Sequence, residues 1–538
     1  MAASMPWCTR GVAALASLGR RGGAARLAAP GAARHVRTGF FTDDPDYLDP
    51  EAPLLAERVD SRWRHMDDAT LSASVLERSN VGMGMLVLNR PSGLDLPTIN
   101  TAYKRLRNLE VNSLKRFVGF TASEPGPFCL GLDPRELLLA ATAGVRHGRL
   151  PQFSRALLWH HQELAHLIAD YRKPLVVQLS GPARNGGAAL ACLANFSGAY
   201  RDSEVVVDAC FNGLVPDGGM TYVLARLQWN LGEFLALTGW PVRGADLVYA
   251  GLVQHWLSPD ALPFLELTSE KQLEVSESDA RMLLNEHSLA LPEGLTEQCS
   301  LPRGAVPLIA DAFSRASVPE IAERLRSAAE RGEASLRGFA AACLRRLSGA
   351  SPLALHVALR LVRESRRLIA EEPQPAETGA HRRARGDQGA LAKVLRLELR
   401  AQQQLLCKQD AVMGLHAACL GRRSEEEPGV LWSRAYVDVP EDEADDVLGR
   451  EASLEADFAV APRPELPLSR HPRLRRYHPD FDPATGLDHD PAWMAAEVRR
   501  WSPDLFQEER RRVVEELLGD RDPALYGLSR WVRVESRA

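Results

Sequence analysis

No stretch of this 538-residue chain approaches the roughly 18 consecutive apolar residues that a membrane-spanning helix needs. The longest candidate, around Leu137–Val145, is far too short. Lysine is scarce as well. Lys104, Lys115, Lys173, Lys271, Lys393 and Lys408 are the only six lysines among 65 basic residues, which leaves 59 arginines. Arginine suits bidentate phosphate contacts, although a GC-rich genome produces the same bias. The formal net charge of −5 excludes indiscriminate nucleic-acid binding by the whole chain, so any RNA contact must come from a local patch. Eight cysteines run from Cys8 to Cys419 with no Cys-x-x-Cys pair, and no histidines cluster at ligand spacing. Neither a metal site nor a disulfide framework is expected, and a reducing compartment fits.

Acid is missing from one place in particular. Between Met1 and Thr42 there is no Asp or Glu, while Arg10, Arg20, Arg21, Arg26, Arg34 and Arg37 are spread among Ala, Leu, Gly and Ser. That composition predicts a mitochondrial transit peptide over residues 1–42, with processing near Arg37–Phe41 and a matrix location. A secretory signal would confine its charge to the front.

What is present is the balance of a soluble globular protein, 45% hydrophobic and 25% charged, at a length that calls for at least two structural units. After an N-terminal extension over residues 43–74, strands are expected at Val81–Asn89, Phe117–Thr121, Leu175–Leu179 and Val205–Val207. They alternate with helices at Thr98–Leu109, Pro134–Thr142, Pro151–Tyr171, Gly186–Ala194 and Met220–Leu227. This alternation over residues 75–258 predicts a layered α/β domain. From 259 to 435 strand signals vanish, and Val318–Ala329, Ser335–Leu347, Pro352–Leu368 and Ala390–Cys407 show helical spacing. Residues 371–389 have no large apolar side chain and read as a disordered insertion. Residues 436–538 read as an acidic and then Pro- and Arg-rich linker ending in a small helical extension.

Three segments could carry chemistry. Phe128–Arg135 and Ser180–Ala189 each read as a strand end, a glycine turn and a helix start, where unpaired backbone N–H groups can hold an anion or a polarised carbonyl. Two such donors converging from different loops make an oxyanion hole. The third, Phe211–Gly219, could present Asp217 to a pocket, with a turn-capping role for Asp217 as the lesser reading.

In this order and spacing the segments resemble the crotonase (enoyl-CoA hydratase/isomerase) superfamily, in its 3-hydroxyisobutyryl-CoA hydrolase branch. The residues that carry the resemblance are Leu88-Asn-Arg-Pro91, Phe128-Cys-x-Gly-x-Asp133, Arg172-Lys-Pro174 and Asn185-Gly-Gly187. Gly213-Leu-x-Pro-Asp-x-Gly219, Leu235-Ala-Leu-Thr-Gly239 and Ala250-Gly-Leu-Val-x-His255 follow, then Ser348-x-x-Ser351-Pro-Leu-Ala-Leu. It covers about residues 75–435. The resemblance implies a crotonase-like spiral of ββα units, a helical C-terminal region, and a site that polarises a CoA thioester between the N–H groups of Leu132 and Gly186. It implies no cofactor beyond the CoA thioester as ligand.

The site departs from that pattern. Asp217 matches the family's aspartate, but the position of one expected Glu is Ala209, and a second falls on His160, with His161 beside it. Asn185 replaces the first glycine of the oxyanion turn, and Ser92 replaces a lysine. Losing a positioned base costs about 10²–10⁴ in rate, and losing one oxyanion donor roughly 10²–10³ more. Asp208, His160 or His161 could stand in as base, although histidine pairs on helices are usually solvated. The sequence thus resembles the hydrolase-like members of this branch found in the mitochondrial ribosomal small subunit, with ribosomal proteins and rRNA as partners. An active hydrolase of acyl-CoA in valine breakdown, with a relocated base, is the other expectation. Arg470, Arg473, Arg475 and Arg476 are the candidate RNA contacts, and a solvated linker explains the same arm.

Overall fold

Nine strands run through the described residues: Val75–Ser79 (β1), Met83–Leu88 (β2), Phe117–Ala122 (β3), Leu175–Leu179 (β4), Pro182–Arg184 (β5), Phe196–Ala199 (β6), Glu204–Val206 (β7), Val242–Arg243 (β8) and His255–Trp256 (β9). The structure, a computed structural model, describes residues 74–79, 82–112, 114–123, 126–258, 261, 277–292, 300–372, 389–420, 430, 432, 434–449 and 507–518. Residues 1–42, most of the 371–389 insertion, and the arm with Arg470, Arg473, Arg475 and Arg476 lie outside them.

Six strands form one sheet in the order β1-β2-β3-β4-β6-β9. β1 pairs antiparallel with β2, and every later pairing is parallel. The helices between them are Leu96–Val111 (α1), Pro134–His147 (α2), Gln152–Ala169 (α3), Asn185–Cys192 (α4), Met220–Ala225 (α5), Leu231–Thr238 (α6) and Asp246–Tyr249 (α7). Every residue of β2, β3 and β4 is buried, as parallel strands covered on both faces must be. The period of two divides them: Leu86, Leu88 and Phe120 join the main core, while Met83, Met85, Val87 and Phe117 face a smaller cluster. Leu283 and Leu284 of Glu277–Glu286 (α8) close that second face. A second sheet, β5-β7-β8, stands beside the main one.

Local chemistry sets the helix starts. Asp95 caps α1 and Asp133 caps α2 by accepting from Thr98 N and Arg135 N, each with a proline in the first turn. The helical region continues with Ala305–Ala312 (α9), Val318–Arg331 (α10), Ala334–Gly349 (α11), Pro352–Ala370 (α12), Ala390–Leu405 (α13), Gln409–Cys419 (α14) and Glu441–Leu448 (α15). A last helix, Gln507–Leu518 (α16), belongs to the extension. Phe234 of α6 meets Phe313, Phe339 and Trp240 with ring centroids 5.4–5.9 Å apart, which ties the α/β core to this region. The expected α/β core and helical continuation are both present. Among the described residues, no helix is long and apolar enough to cross a membrane.

The extension is docked on the core. Arg510 of α16 donates through Nε at 2.9 Å and Nη2 at 2.6 Å to the buried carboxylate of Glu136 in the first turn of α2. Glu509 accepts from Gln152 N at 3.0 Å and Phe153 N at 2.8 Å, capping α3, whose own Pro151 has no side chain to do so.

Candidate functional site

A cavity of about 280 Å³ opens where the three chemistry-bearing segments meet. Leu132 ahead of α2, Asn185 at the start of α4, Ala209 in the 3-10 turn Ala209–Asn212, and Asp217 all line it. Leu130, Leu137, Leu214, Val215 and Leu415 supply apolar wall, and α13 and α14 contribute Gln402 and Ala418. The helical C-terminal region therefore closes the pocket that the α/β core begins. Glycine makes that closure feasible at Gly213, where φ is 71° and a Cβ would lie 2.6 Å from the backbone of Asp410.

The two expected oxyanion donors have different fates. Leu132 N–H has no partner among the described residues. Gly186 N–H donates to Asp217 Oδ1 at 2.9 Å. The aspartate thus occupies one of the two donors a thioester carbonyl would use. Asn185 does not widen the turn: it adopts the left-handed conformation, φ 45°, that glycine would take. Its Nδ2 donates to Asp208 Oδ1 at 2.9 Å, and Arg184 pairs with the other carboxylate oxygen of Asp208. Asp208 lines the cavity beside Ala209 with both oxygens engaged.

The adjacent histidines part company. His160 Nδ1 lies 2.5 Å from Asn100 Oδ1, buried between α3 and α1, and is absent from the cavity wall. His161 packs behind the Asp217 loop instead, likewise off the cavity wall, with Nδ1 3.6 Å from Asp217 Oδ2 and the ring against Gly186 and Gly218. A Cβ at Gly186 would collide with that ring. Among the described residues neither nitrogen of His161 has a hydrogen-bond partner, and its ring is fully buried. The expectation of a solvated pair is thereby corrected: α3 is covered by α1 on one side and the Asp217 loop on the other. Burial pushes the His161 imidazole down, with Asp217 pulling the other way. Burial pushes the Asp217 carboxyl up, against His161 and the Gly186 N–H. Both shifts favour the neutral forms.

A buried acid that the motifs did not flag holds the loop. Glu398 of α13 accepts from Gly219 N at 2.7 Å and Thr221 N at 2.8 Å, and burial pushes its carboxyl up to about 8. One turn on, Gln402 Nε2 donates to Val215 O at 2.8 Å. The signal was in the sequence: Glu398 and Gln402 share the 3.6-period stripe of Val394, Leu395, Ala401 and Leu405, all buried. Cys129, beside the first turn, is buried, and that burial pushes its thiol up to about 12, which disfavours the thiolate.

Among known proteins, the family profile described as enoyl-CoA hydratase/isomerase matches residues 83–447. The 3-hydroxyisobutyryl-CoA hydrolase of Danio rerio mitochondria is 29% identical over 57% of this chain and 78% of its own length. A relative of different title, small ribosomal subunit protein mS47 of Schizosaccharomyces pombe, is 25% identical over 60% of this chain and 74% of its own. Among solved structures, a carnitinyl-CoA dehydratase from Mycobacterium thermoresistibile superposes with a TM-score of 0.56 at 22% identity. That match covers 70% of this chain and 97% of the other, and it bears on the fold alone.

Proposed function

The chain belongs to the enoyl-CoA hydratase/isomerase family, and from that premise we propose that it is a catalytically degenerate 3-hydroxyisobutyryl-CoA hydrolase-like protein. Its role on this reading is structural, as a component of the small subunit of the mitochondrial ribosome. The observation that carries the loss of activity is the hydrogen bond from Gly186 N–H to Asp217, which uses up an oxyanion donor and a carboxylate together. Ala209 offers no proton acceptor, and Asp208 is held by Arg184 and Asn185. The mitochondrial names of the hydrolase relatives and the ribosomal name of the Schizosaccharomyces pombe relative support the location and the partner class. The acid-free, arginine-rich start supports the same location.

The second reading, a working acyl-CoA hydrolase with a relocated base, draws on His161 standing 3.6 Å from Asp217, which lines the pocket. Hydrolysis of 3-hydroxyisobutyryl-CoA by the full chain separates the two. The degenerate reading expects a rate about 10⁴-fold or more below an ordinary hydrolase, and Ala209→Glu alone does not restore it because the Gly186 donor stays occupied. Ordinary turnover by the unmodified chain overturns that reading. Co-sedimentation with mitochondrial small subunits tests the structural role directly.

A further inference from the structure

Trp229 and Asn230 both adopt φ 55°, in the left-handed region. For a bulky side chain this conformation is a genuine outlier, and glycine would avoid the strain. The interior returns nothing for it at Trp229, whose side chain is 56% exposed. The turn is nonetheless fixed in place: Asn230 Nδ2 donates to Ala310 O at 2.9 Å, and α6 starts directly from it. A strained, anchored turn that holds an indole in solvent calls for a partner outside the chain.

The chemistry around it selects the partner. Arg226, three residues earlier, is exposed, with its guanidinium carbon 5.5 Å from the Tyr222 ring centroid; among the described residues it meets no carboxylate. Arg366 of α12 donates to Ala225 O at 3.3 Å, next to Arg226, and also pairs with buried Glu233. Among the described residues Arg363, one turn away on α12, bonds only to the carbonyls of Phe313, Arg315 and Ala316, just past the end of α9 that anchors Asn230. A protein partner for a lone tryptophan would want apolar neighbours, whereas the exposed chain neighbours here are Arg226 and Gln228. We propose that the Trp229 turn is a single-stranded RNA contact, with a base stacked on the indole and phosphates met by Arg226 in the positive field of Arg363, the charge of Arg366 being taken up by Glu233. This deepens the ribosomal reading and rests on it for the source of the RNA.

Anisotropy of a labelled oligouridylate with the full chain tests it, with Trp229→Gly and Arg226→Ala as variants. Stacking on an aromatic side chain is worth about 1–3 kcal/mol per base, so Trp229→Gly weakens binding roughly 5- to 150-fold. The same variant raises the melting temperature, because glycine relieves the strain at φ 55°. That combination separates a binding role from misfolding. Arg226→Ala weakens binding and lowers the salt slope by about one ion. Binding that stays within about twofold in Trp229→Gly, or an unmodified chain that does not bind, overturns the proposal; so does a Trp229→Gly chain that keeps its RNA affinity but loses ribosomal co-sedimentation, since the partner is then protein. Loss of RNA affinity in the variants of a chain that never co-sediments with small subunits leaves this site standing and removes the ribosomal reading instead.

Discussion

Glu398→Gln tests how the loop bearing Asp217 is held, and the sign of the outcome depends on a proton. Glu398 is fully buried, its two carboxylate oxygens taken by Gly219 N and Thr221 N. Burial pushes its carboxyl from 4.5 up to about 8, the two backbone donors pulling the other way. At neutral pH the folded protein therefore holds mainly the acid, while the unfolded chain holds the carboxylate. Between those two limits the folded state binds the extra proton, so its contribution is fully present below about pH 4.5 and is lost as pH rises towards 8. At about 1.4 kcal/mol per pH unit the whole span would amount to roughly 5 kcal/mol, and relaxation around a buried charge reduces this to about 2–4 kcal/mol. Glutamine has the same shape and does not titrate. Its Nε2 cannot accept from a backbone N–H, so in urea unfolding the variant should lie about 1–3 kcal/mol below the parent near pH 5 and gain on it steadily towards pH 8, by about 2–4 kcal/mol in all. A difference that widens in the parent's favour as pH rises refutes the reasoning, because an ionised carboxylate would then be what holds the two N–H groups.

Two further changes probe how the body and its extension are joined. Arg510→Ala strips the partner from buried Glu136. It should lower stability by about 1–3 kcal/mol, less than for a fully enclosed pair because α16 can lift and admit water. Adding Glu136→Gln should recover most of the loss in denaturant unfolding, and limited proteolysis should find α16 cut faster in the single variant only. Phe234→Ala empties the centre of the Phe313, Phe339 and Trp240 cluster at a fully buried position. It should cost about 3–5 kcal/mol by the same assay, and a loss under about 1 kcal/mol would mean the core and helical region are not coupled there.

The fold was readable where one physical signal acts alone. β4 and the helices α10, α11 and α12 fall within a few residues of their expected bounds because continuous apolar runs and 3.6-residue stripes fix them. β1 was missed because VLERS places two charges in five residues, and only pairing with β2 makes it a strand. β5 was missed for a similar reason: Pro-Ala-Arg has no strand signal, and its order comes from β7 in a separate small sheet. Short edge strands owe their conformation to partners distant in the chain, which a local pattern cannot register.

The site was readable in position and not in wiring. The family resemblance pointed to Leu132, Asn185, Ala209 and Asp217, and all four line one cavity. Which neighbour each polar atom would choose depended on ångström-scale packing. Two adjacent histidines on a helix point about 100° apart, so one of them had to face α1 and the other the loop. His160 took Asn100, and His161 took Asp217. That choice changes what the missing acid means. With Ala209 as the only defect, a new carboxylate there would be enough to recover a hydrolase. Asp217 is already bound to Gly186 N–H with a buried imidazole behind it and Glu398 fixing the loop above it. A substrate carbonyl would have to displace the Asp217 oxygen to reach that donor, exchanging one hydrogen bond for another. On the proposed reading, the retained Asp217 takes the oxyanion donor while Ala209 removes the base, so restoring one without the other leaves the site incomplete.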